Sequence, residues 1–129
     1  MLKVYSLKKD GNLKLSSNFR VREFACKDGS DPIFIDSELV DILQKIRNHF
    51  GKPVTITSAY RTPTHNKSCG GTTYSQHLYG KACDIKVQGT KPSEVSKYAE
   101  TLLKNKGGIG TYSTFTHVDV RATKSRWQG

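Results

Sequence analysis

The 129-residue sequence lacks any apolar run near the roughly 20 residues that a membrane-spanning helix needs. Its beginning, MLKVYSLKKDGNLKL, has no apolar stretch of the kind that precedes a signal-peptide cleavage site. Internal repeats and low-complexity tracts are also missing. The sequence therefore predicts one domain over residues 1–129, with residues 1–16 as a candidate peripheral extension. We expect synthesis in the cytoplasm, no membrane partner and a monomer.

Cysteine is scarce and irregularly spaced. The chain has three, Cys26, Cys69 and Cys83, and no pair has the CxxC spacing. An odd number without that spacing argues against a disulfide framework and against a cysteine-based zinc cluster. Free or buried thiols are the favoured interpretation, and a Cys69–Cys83 disulfide is the alternative.

Acidic residues are also few, because 11 Asp and Glu stand against 21 Lys and Arg, for a net charge of +10. A charge of this size favours polyanionic partners such as nucleic acid, anionic lipid or a bacterial wall that carries phosphate polymers. The basic residues are scattered and form no long run. The sequence therefore predicts no specific nucleic-acid stripe, and charge alone does not select the partner.

Hydrophobic periodicity indicates helices mixed with strands in a short chain, which predicts the α+β class with a small antiparallel sheet and two main helices. The helices are expected at 37–50 and at about 92–103. Residues 61–73 are rich in turn-forming residues and predict a long loop. Strands are expected at 54–60, at 82–87 and over 109–120. The last of these is either one strand or a hairpin that turns near Ser113. The first 30 residues suggest an irregular wrap or short strands.

Two chemically suited residues lie close together around the start of the predicted strand 82–87. His77 is in the preceding loop, and Gly80 allows a tight turn into the strand. Asp84 faces the side of the strand opposite to Cys83 and Ile85, since side chains alternate along a strand. A loop histidine and a strand carboxylate in this relation are able to chelate one cation.

His117 supplies a third candidate ligand from another predicted strand. It shares a strand face with Asp119 and Arg121, while the valines between them face the core. Two histidine nitrogens and one carboxylate oxygen leave a fourth tetrahedral position open, which is typical of a catalytic zinc site. The mixture of nitrogen and oxygen ligands favours one Zn2+ over calcium or magnesium.

The segment around His77 also carries a recognisable pattern. Ser75, His77, Gly80, Ala82 and Asp84 match the signature SxHxxGxAxD of the zinc D-Ala-D-Ala carboxypeptidase (peptidase M15) family. The resemblance spans roughly residues 17–127 and is closest in size to the small single-domain phage and bacterial members. It implies the hedgehog/DD-peptidase fold.

The resemblance extends to His117-Val118-Asp119, which is similar to the second motif of the family. It implies that His77, Asp84 and His117 are the zinc ligands. It also implies that Arg61 holds the terminal carboxylate of a substrate, a bidentate task that suits a guanidinium group. A purely structural Arg61 that fixes the loop is the alternative.

Ser75 has two interpretations as well. Its hydroxyl either binds the substrate or orients the loop that carries His77, and the second is favoured.

The match fails where many family members carry a carboxylate general base. The position three residues before the last ligand is Thr114, and residues 111–116 contain no carboxylate. Asp119 is the substitute, either as the catalytic base or as a partner that orients a metal-bound histidine. Both roles stay open at the level of sequence.

The resemblance therefore implies a zinc metallopeptidase, an enzyme that cleaves peptidoglycan stem peptides in the manner of a D-Ala-D-Ala carboxypeptidase, with endopeptidase action as the other mode. We expect it to act on the cell wall after holin-type or lytic release from the cytoplasm. A non-catalytic, zinc-stabilised wall-binding domain is the alternative, because the upstream carboxylate is missing.

Overall fold

The computed structural model describes residues 1–129 and confirms the α+β class. Four α-helices and nine strands follow one another along the chain. The helices are α1 Leu7–Asp10, α2 Ser37–Phe50, α3 Pro63–Ser68 and α4 Pro92–Leu103. The strands are β1 Leu2–Ser6, β2 Lys14–Ser16, β3 Phe19–Arg20, β4 Pro32–Asp36, β5 Val54–Ser58, β6 Ala82–Val87, β7 Gly108–Thr111, β8 Thr116–Asp119 and β9 Ser125–Gln128. Two 3-10 turns cover Val21–Phe24 and Gln76–Tyr79.

Helices α2 and α4 are the two long helices that the periodicity predicts, with the predicted bounds. The side chain of Asp36 caps α2 by accepting the backbone N–H of Glu38. Gly51 ends α2 in the left-handed region, with a φ of 63° that glycine adopts without strain. Helix α4 has a proline in its first turn, where a missing N–H is harmless. None of the helices has the length and apolar character needed to cross a membrane.

The main sheet has the strand order β5-β6-β8-β7-β9. All neighbours are antiparallel except β7 and β9, which are parallel, so the predicted antiparallel sheet is in fact mixed. The reason is topological. Strand β8 already has β6 and β7 on its two edges, so the chain that leaves β8 pairs with the outer edge of β7 and runs in the same direction as β7.

The smaller elements agree with the expectation in part. The hairpin near Ser113 is present, since β7 and β8 flank it. Strand β5 ends at Ser58 rather than at residue 60, and the expected loop 61–73 contains the short helix α3. The N-terminal segment pairs β1 with β4, and none of the first 16 residues is buried.

The main sheet has two different faces. Helices α2 and α4 pack on one face, where apolar side chains of β5 to β8 join those of the helices and of residues 19–35 in a cluster of 23 buried residues. Cys26 and Cys83 are buried in this cluster, while Cys69 is exposed, and all three cysteines are free thiols. The opposite face has no helix of comparable length on it and carries the polar side chains described next.

Candidate metal centre

One row of side chains crosses the open face of the main sheet. Residues directly opposite each other on paired strands lie on the same face. The register pairs Asp84 with Ser58 on β5 and with His117 on β8. His117 in turn pairs with Gly110 on β7, and Gly110 pairs with Trp127 on β9. The strand register alone therefore brings Asp84 and His117 into contact.

A bulge near the end of β5 directs the chain toward the loop that carries His77. The register of β5 against β6 shifts between Ile56 and Ser58, so Thr57 is an extra residue, and its hydroxyl donates to the carbonyl of Asp84 at 3.2 Å. Strand pairing ends there. The chain then turns into Ala59 and the following residues, whose backbone meets the loop of His77.

His77 is carried by a single 3-10 turn that the motif residues hold in place. Ser75 caps the turn, with its hydroxyl accepting the backbone N–H of His77 at 3.2 Å. Gly80 ends it with a φ of 69°, and a Cβ atom there would lie 2.3 Å from the carbonyl oxygen of Phe34. Glycine is thus required twice over at position 80, by conformation and by space. Ala82 is fully buried opposite Asp119.

The three predicted ligands converge on one point. The Asp84 Oδ1 atom lies 3.3 Å from Nε2 of His77 and 3.0 Å from Nδ1 of His117. One ligand atom of each residue lies within 4.8 Å of those of the other two, so the group is able to hold a metal ion. Ligands about 2.1 Å from a tetrahedral zinc ion are separated by about 3.4 Å. The two distances from Oδ1 of Asp84 are therefore close to those of a tetrahedral zinc site.

The second nitrogen of each imidazole ring has a hydrogen-bond acceptor that directs the first nitrogen to the centre. Nδ1 of His77 lies 2.7 Å from the carbonyl oxygen of Ala59, and Nε2 of His117 lies 2.7 Å from Oδ2 of Asp119. Metal-bound histidines in proteins commonly have such partners, which fix the tautomer and the ring orientation. The donor set thus consists of Nε2 of His77, Oδ1 of Asp84 and Nδ1 of His117.

The protonation state of the centre follows from these contacts. Burial raises the pKa of the Asp84 carboxyl, but the hydrogen bonds from His117 and His77 outweigh it and hold that pKa well below its usual range. Burial lowers the pKa of His117, but its hydrogen bonds to Asp119 and Asp84 raise it overall. In the metal-free protein, the two neighbouring carboxylates thus favour the protonated form of His117. A metal ion at Nδ1 would replace one of its protons.

Arg61 contacts the centre from the side of β5. Its Nη2 atom lies 3.4 Å from Oδ2 of Asp84, while Nε donates to Ser58 and Nη1 to Asn66. All three guanidinium nitrogens therefore have partners within the protein, and the side chain is only 13% exposed. Because its nitrogens are already engaged, these contacts favour the structural role of Arg61 over the substrate clamp. They also leave Oδ1 of Asp84 to the histidines.

Asp119 lies behind His117 and has no exposed surface. Its carboxylate accepts hydrogen bonds from Nε and Nη2 of Arg121 at 2.8 and 2.7 Å, in addition to its contact with the ring of His117. Burial raises its pKa, but the bonds from His117 and Arg121 bring that pKa well below its usual range. The contacts favour the orienting role of Asp119, and its role as general base stays a prediction.

The three ligands form the floor of an open cleft of about 440 Å3. Asp84 is the one carboxylate that lines this cleft, and Thr114 is not among the lining residues. Ser75 lines the cleft too, but the hydrogen bond described above supports its role in orienting the loop of His77.

Aromatic side chains that no sequence pattern predicts line another part of the cleft. The Trp127 ring lies 4.9 Å from the ring of His117, and its Nε1 atom donates to the hydroxyl of Tyr112 at 2.9 Å. Residues 121–129 contain Trp127 as their one large apolar residue, so no periodic pattern marks a strand there. The position of Trp127 depends on the parallel pairing of β9, which short-range patterns do not reveal.

Two histidines and one aspartate at the floor of an open cleft define the kind of mononuclear metal centre that metal-dependent hydrolases use. The comparison of sequences agrees with this class. A family model described as peptidase M15 matches residues 14–119, and this chain belongs to that family.

Individual relatives point the same way. The chain is 36% identical over 95 residues to the peptidoglycan L,D-endopeptidase MepK of Escherichia coli, covering 67% of this chain and 51% of that protein. It is 30% identical over 105 residues to the probable MepK of Haemophilus influenzae, covering 74% and 55%. A shorter match, 41% over 44 residues, joins it to the zinc D-Ala-D-Ala carboxypeptidase of Streptomyces albus G, covering 33% and 17%. The chain spans about half the length of the MepK proteins.

Proposed function

We propose that this chain is a zinc-dependent peptidase that cleaves peptide bonds in the stem peptides of peptidoglycan. The observation that carries the proposal is the convergence of two histidine nitrogens on one Asp84 oxygen, at 3.3 and 3.0 Å, in the lining of an open cleft. The peptidase M15 family and the names of the relatives support the substrate class.

We extend the proposal to the finer fold and to the place of action. The hedgehog/DD-peptidase fold is the arrangement we infer from the family. The net charge of +10 supports attraction to an anionic wall. We infer that the protein is a monomer and meets its substrate in the cell wall, after holin-type or lytic release.

Each residue of the metal centre would have a separate role in binding the metal or in orienting its ligands. A zinc ion held by His77, Asp84 and His117 would act as a Lewis acid toward a peptide carbonyl and would make water more acidic. Asp119 would keep Nδ1 of His117 directed at the centre. Arg61 would fix the second oxygen of Asp84, which prevents the carboxylate from turning away.

The pairing of the arginines in the cleft bears on which bond is cut. A carboxypeptidase needs a group for the C-terminal carboxylate of its substrate, and an endopeptidase does not. The two arginines that line the cleft, Arg61 and Arg121, both pair with buried aspartates. This supports cleavage of an internal bond, with carboxypeptidase action as the alternative.

The test is to incubate zinc-loaded protein with purified peptidoglycan and, separately, with short peptides that end in D-Ala-D-Ala. We expect soluble fragments from peptidoglycan, none after treatment with a chelator, and none from His117→Ala. Substitution of Arg61 by alanine distinguishes carboxypeptidase from endopeptidase action. A Michaelis constant that rises more for C-terminal than for internal bonds would indicate that Arg61 binds the terminal carboxylate of the substrate. No cleavage of any substrate would refute the proposal.

A non-catalytic, zinc-stabilised wall-binding domain is the second candidate. One observation favours it: Asp84 is the only carboxylate that lines the cleft, so no free carboxylate there is ready to accept a proton. This candidate predicts that zinc-loaded protein sediments with purified peptidoglycan and releases no fragments from it.

A further inference from the structure

The direction of one hydrogen bond at the edge of the cleft is fixed by chemistry. The indole Nε1 of Trp127 is a donor only, so the hydroxyl oxygen of Tyr112, 2.9 Å away, must be the acceptor. Tyr112 makes no other side-chain hydrogen bond with the chain. Its hydroxyl proton is therefore left without a partner in the protein, and the residue lines the cleft of the metal centre.

The ring of Tyr112 is held on several sides. It stacks on Phe115 with ring centroids 4.3 Å apart and planes 10° from parallel. Gly129 packs so closely that a Cβ atom there would lie 1.9 Å from the tyrosine ring. The hydroxyl group is consequently pre-positioned, and little side-chain entropy would be lost when it binds a ligand.

Trp127 owes its own position to a glycine in the same row of the sheet. A Cβ atom at Gly110 would lie 2.5 Å from the indole ring. With no side chain at Gly110, the indole lies against the strand and beside His117. The guanidinium carbon of Arg121 lies 5.4 Å from the indole ring centre, which holds the ring from another direction.

We propose that the Tyr112 hydroxyl donates a hydrogen bond to a backbone carbonyl oxygen of the bound peptide, an inference that rests on the proposed peptidase function. A carbonyl oxygen is the acceptor that a peptide substrate offers in every residue. Trp127 intervenes between Tyr112 and His117, so the hydroxyl is one side chain removed from the metal ligands. It therefore contacts the substrate beside the scissile bond and contributes to binding.

The experiment uses the only tryptophan of the chain as a reporter of binding. Metal-free protein is titrated with soluble cross-linked muropeptides while the fluorescence of Trp127 is recorded. Tyr112→Phe keeps the stacked ring and removes the donor, and we expect a Kd about three- to tenfold higher than for the wild type. Tyr79→Phe is the control, because Tyr79 is 44% exposed and outside the cleft lining, and its Kd should be unchanged.

Steady-state kinetics of the zinc-loaded protein provide a second readout. We expect Tyr112→Phe to raise KM by a similar factor with little change in kcat, since the contact lies away from the bond that is cut. In Trp127→Phe, which removes the indole N–H, we expect a smaller rise and a non-additive effect with Tyr112→Phe.

The outcomes separate this inference from the proposed function. Tyr112→Phe that binds and cleaves like the wild type would overturn the role of Tyr112 alone. A wild-type protein that neither binds nor cleaves muropeptides would overturn the proposed function and this inference with it. Unchanged thermal unfolding of Tyr112→Phe excludes a folding defect as the cause of weaker binding.

Discussion

The two faces of the main sheet are built on opposite principles, although neighbouring residues of the same strand supply both. Ile85 points to the helices and is 1% exposed in an apolar cluster. Asp84, one residue earlier, points to the cleft, where its partners are His77, His117 and Arg61. The apolar face gains free energy by excluding water, whereas the polar face holds charges that need each other.

The difference implies that the apolar face stabilises the fold, whereas the polar face binds the metal. Apolar burial is spread over many residues, so the loss of one weakens the fold without abolishing it. The polar face depends on a few directional contacts around one point, so the loss of one removes its ability to bind a metal. Substitutions on the two faces should therefore change different quantities.

The largest effect is expected from removing a ligand on the polar face. His117→Ala should lower zinc affinity by on the order of a thousandfold, because a zinc site of about 10–16 kcal/mol divides that energy among few ligands. His77→Ala should behave in the same way. The measurement is the zinc content after dialysis, by elemental analysis.

His49→Ala is the matched control, since His49 stacks on Tyr98 at 3.7 Å outside the cleft. It should retain one zinc per chain. Stoichiometric zinc in either ligand variant would refute the ligand assignment.

The next effect concerns the apolar face. Ile85→Ala should lower the free energy of unfolding by about 2–5 kcal/mol, through lost burial and the cavity left behind. Chemical denaturation followed by circular dichroism measures this loss. The folded fraction of the variant should still bind one zinc per chain, and loss of zinc from folded protein would contradict the independence of the two faces.

A third substitution separates the two roles of Asp119. If Asp119 orients His117, Asp119→Asn should lower zinc affinity by about 10- to 100-fold. If it is the general base, kcat should fall while the zinc content stays complete. A zinc titration against a competing chelator, combined with turnover, distinguishes these results, and Asp41→Asn on the exposed surface of α2 is the control.

The smallest effect is a dependence on pH that only the polar face should show. The pKa of His117 is raised above its ordinary value of 6.5 in the folded, metal-free protein. The ion pairs of His117 thus stabilise the metal-free protein below that value, and this stabilisation is lost as the pH rises through the folded pKa. Zinc must displace a proton from Nδ1, so its affinity should rise with pH by up to about tenfold per unit until His117 is neutral.

Calorimetric titrations of zinc in buffers with different heats of ionisation measure that proton. We expect about one proton released per zinc below the folded pKa of His117. Heats that are independent of the buffer would contradict a protonated His117 in the metal-free protein.

The elements with strong local patterns could be predicted from the sequence. The apolar face of α2 and the cap at Asp36 specify that helix locally, and strand alternation puts Asp84 and His117 on the cleft side. The motif residues also have local reasons, because Ser75 caps the turn and Gly80 adopts a positive φ. The register of β6 and β8 therefore brings two of the three predicted ligands together, and the 3-10 turn supplies the third, His77.

Features that depend on long-range packing could not be predicted. The parallel pairing of β9 follows from both edges of β8 being occupied, and no short segment encodes that. The partners of Arg61 and the contact of Trp127 with His117 arise only when several strands are assembled. Alternation did place His117, Asp119 and Arg121 on one strand face, but it could not show that the Asp119 carboxylate is fully buried, which is what favours its orienting role.

The most direct test of the metal centre is a crystal structure of the zinc-loaded protein with anomalous data at the zinc edge. We predict one peak, within about 2.0–2.2 Å of Nε2 of His77, Oδ1 of Asp84 and Nδ1 of His117. A peak that involves other atoms, or no peak at this site in protein that holds one zinc per chain, would contradict the proposed centre.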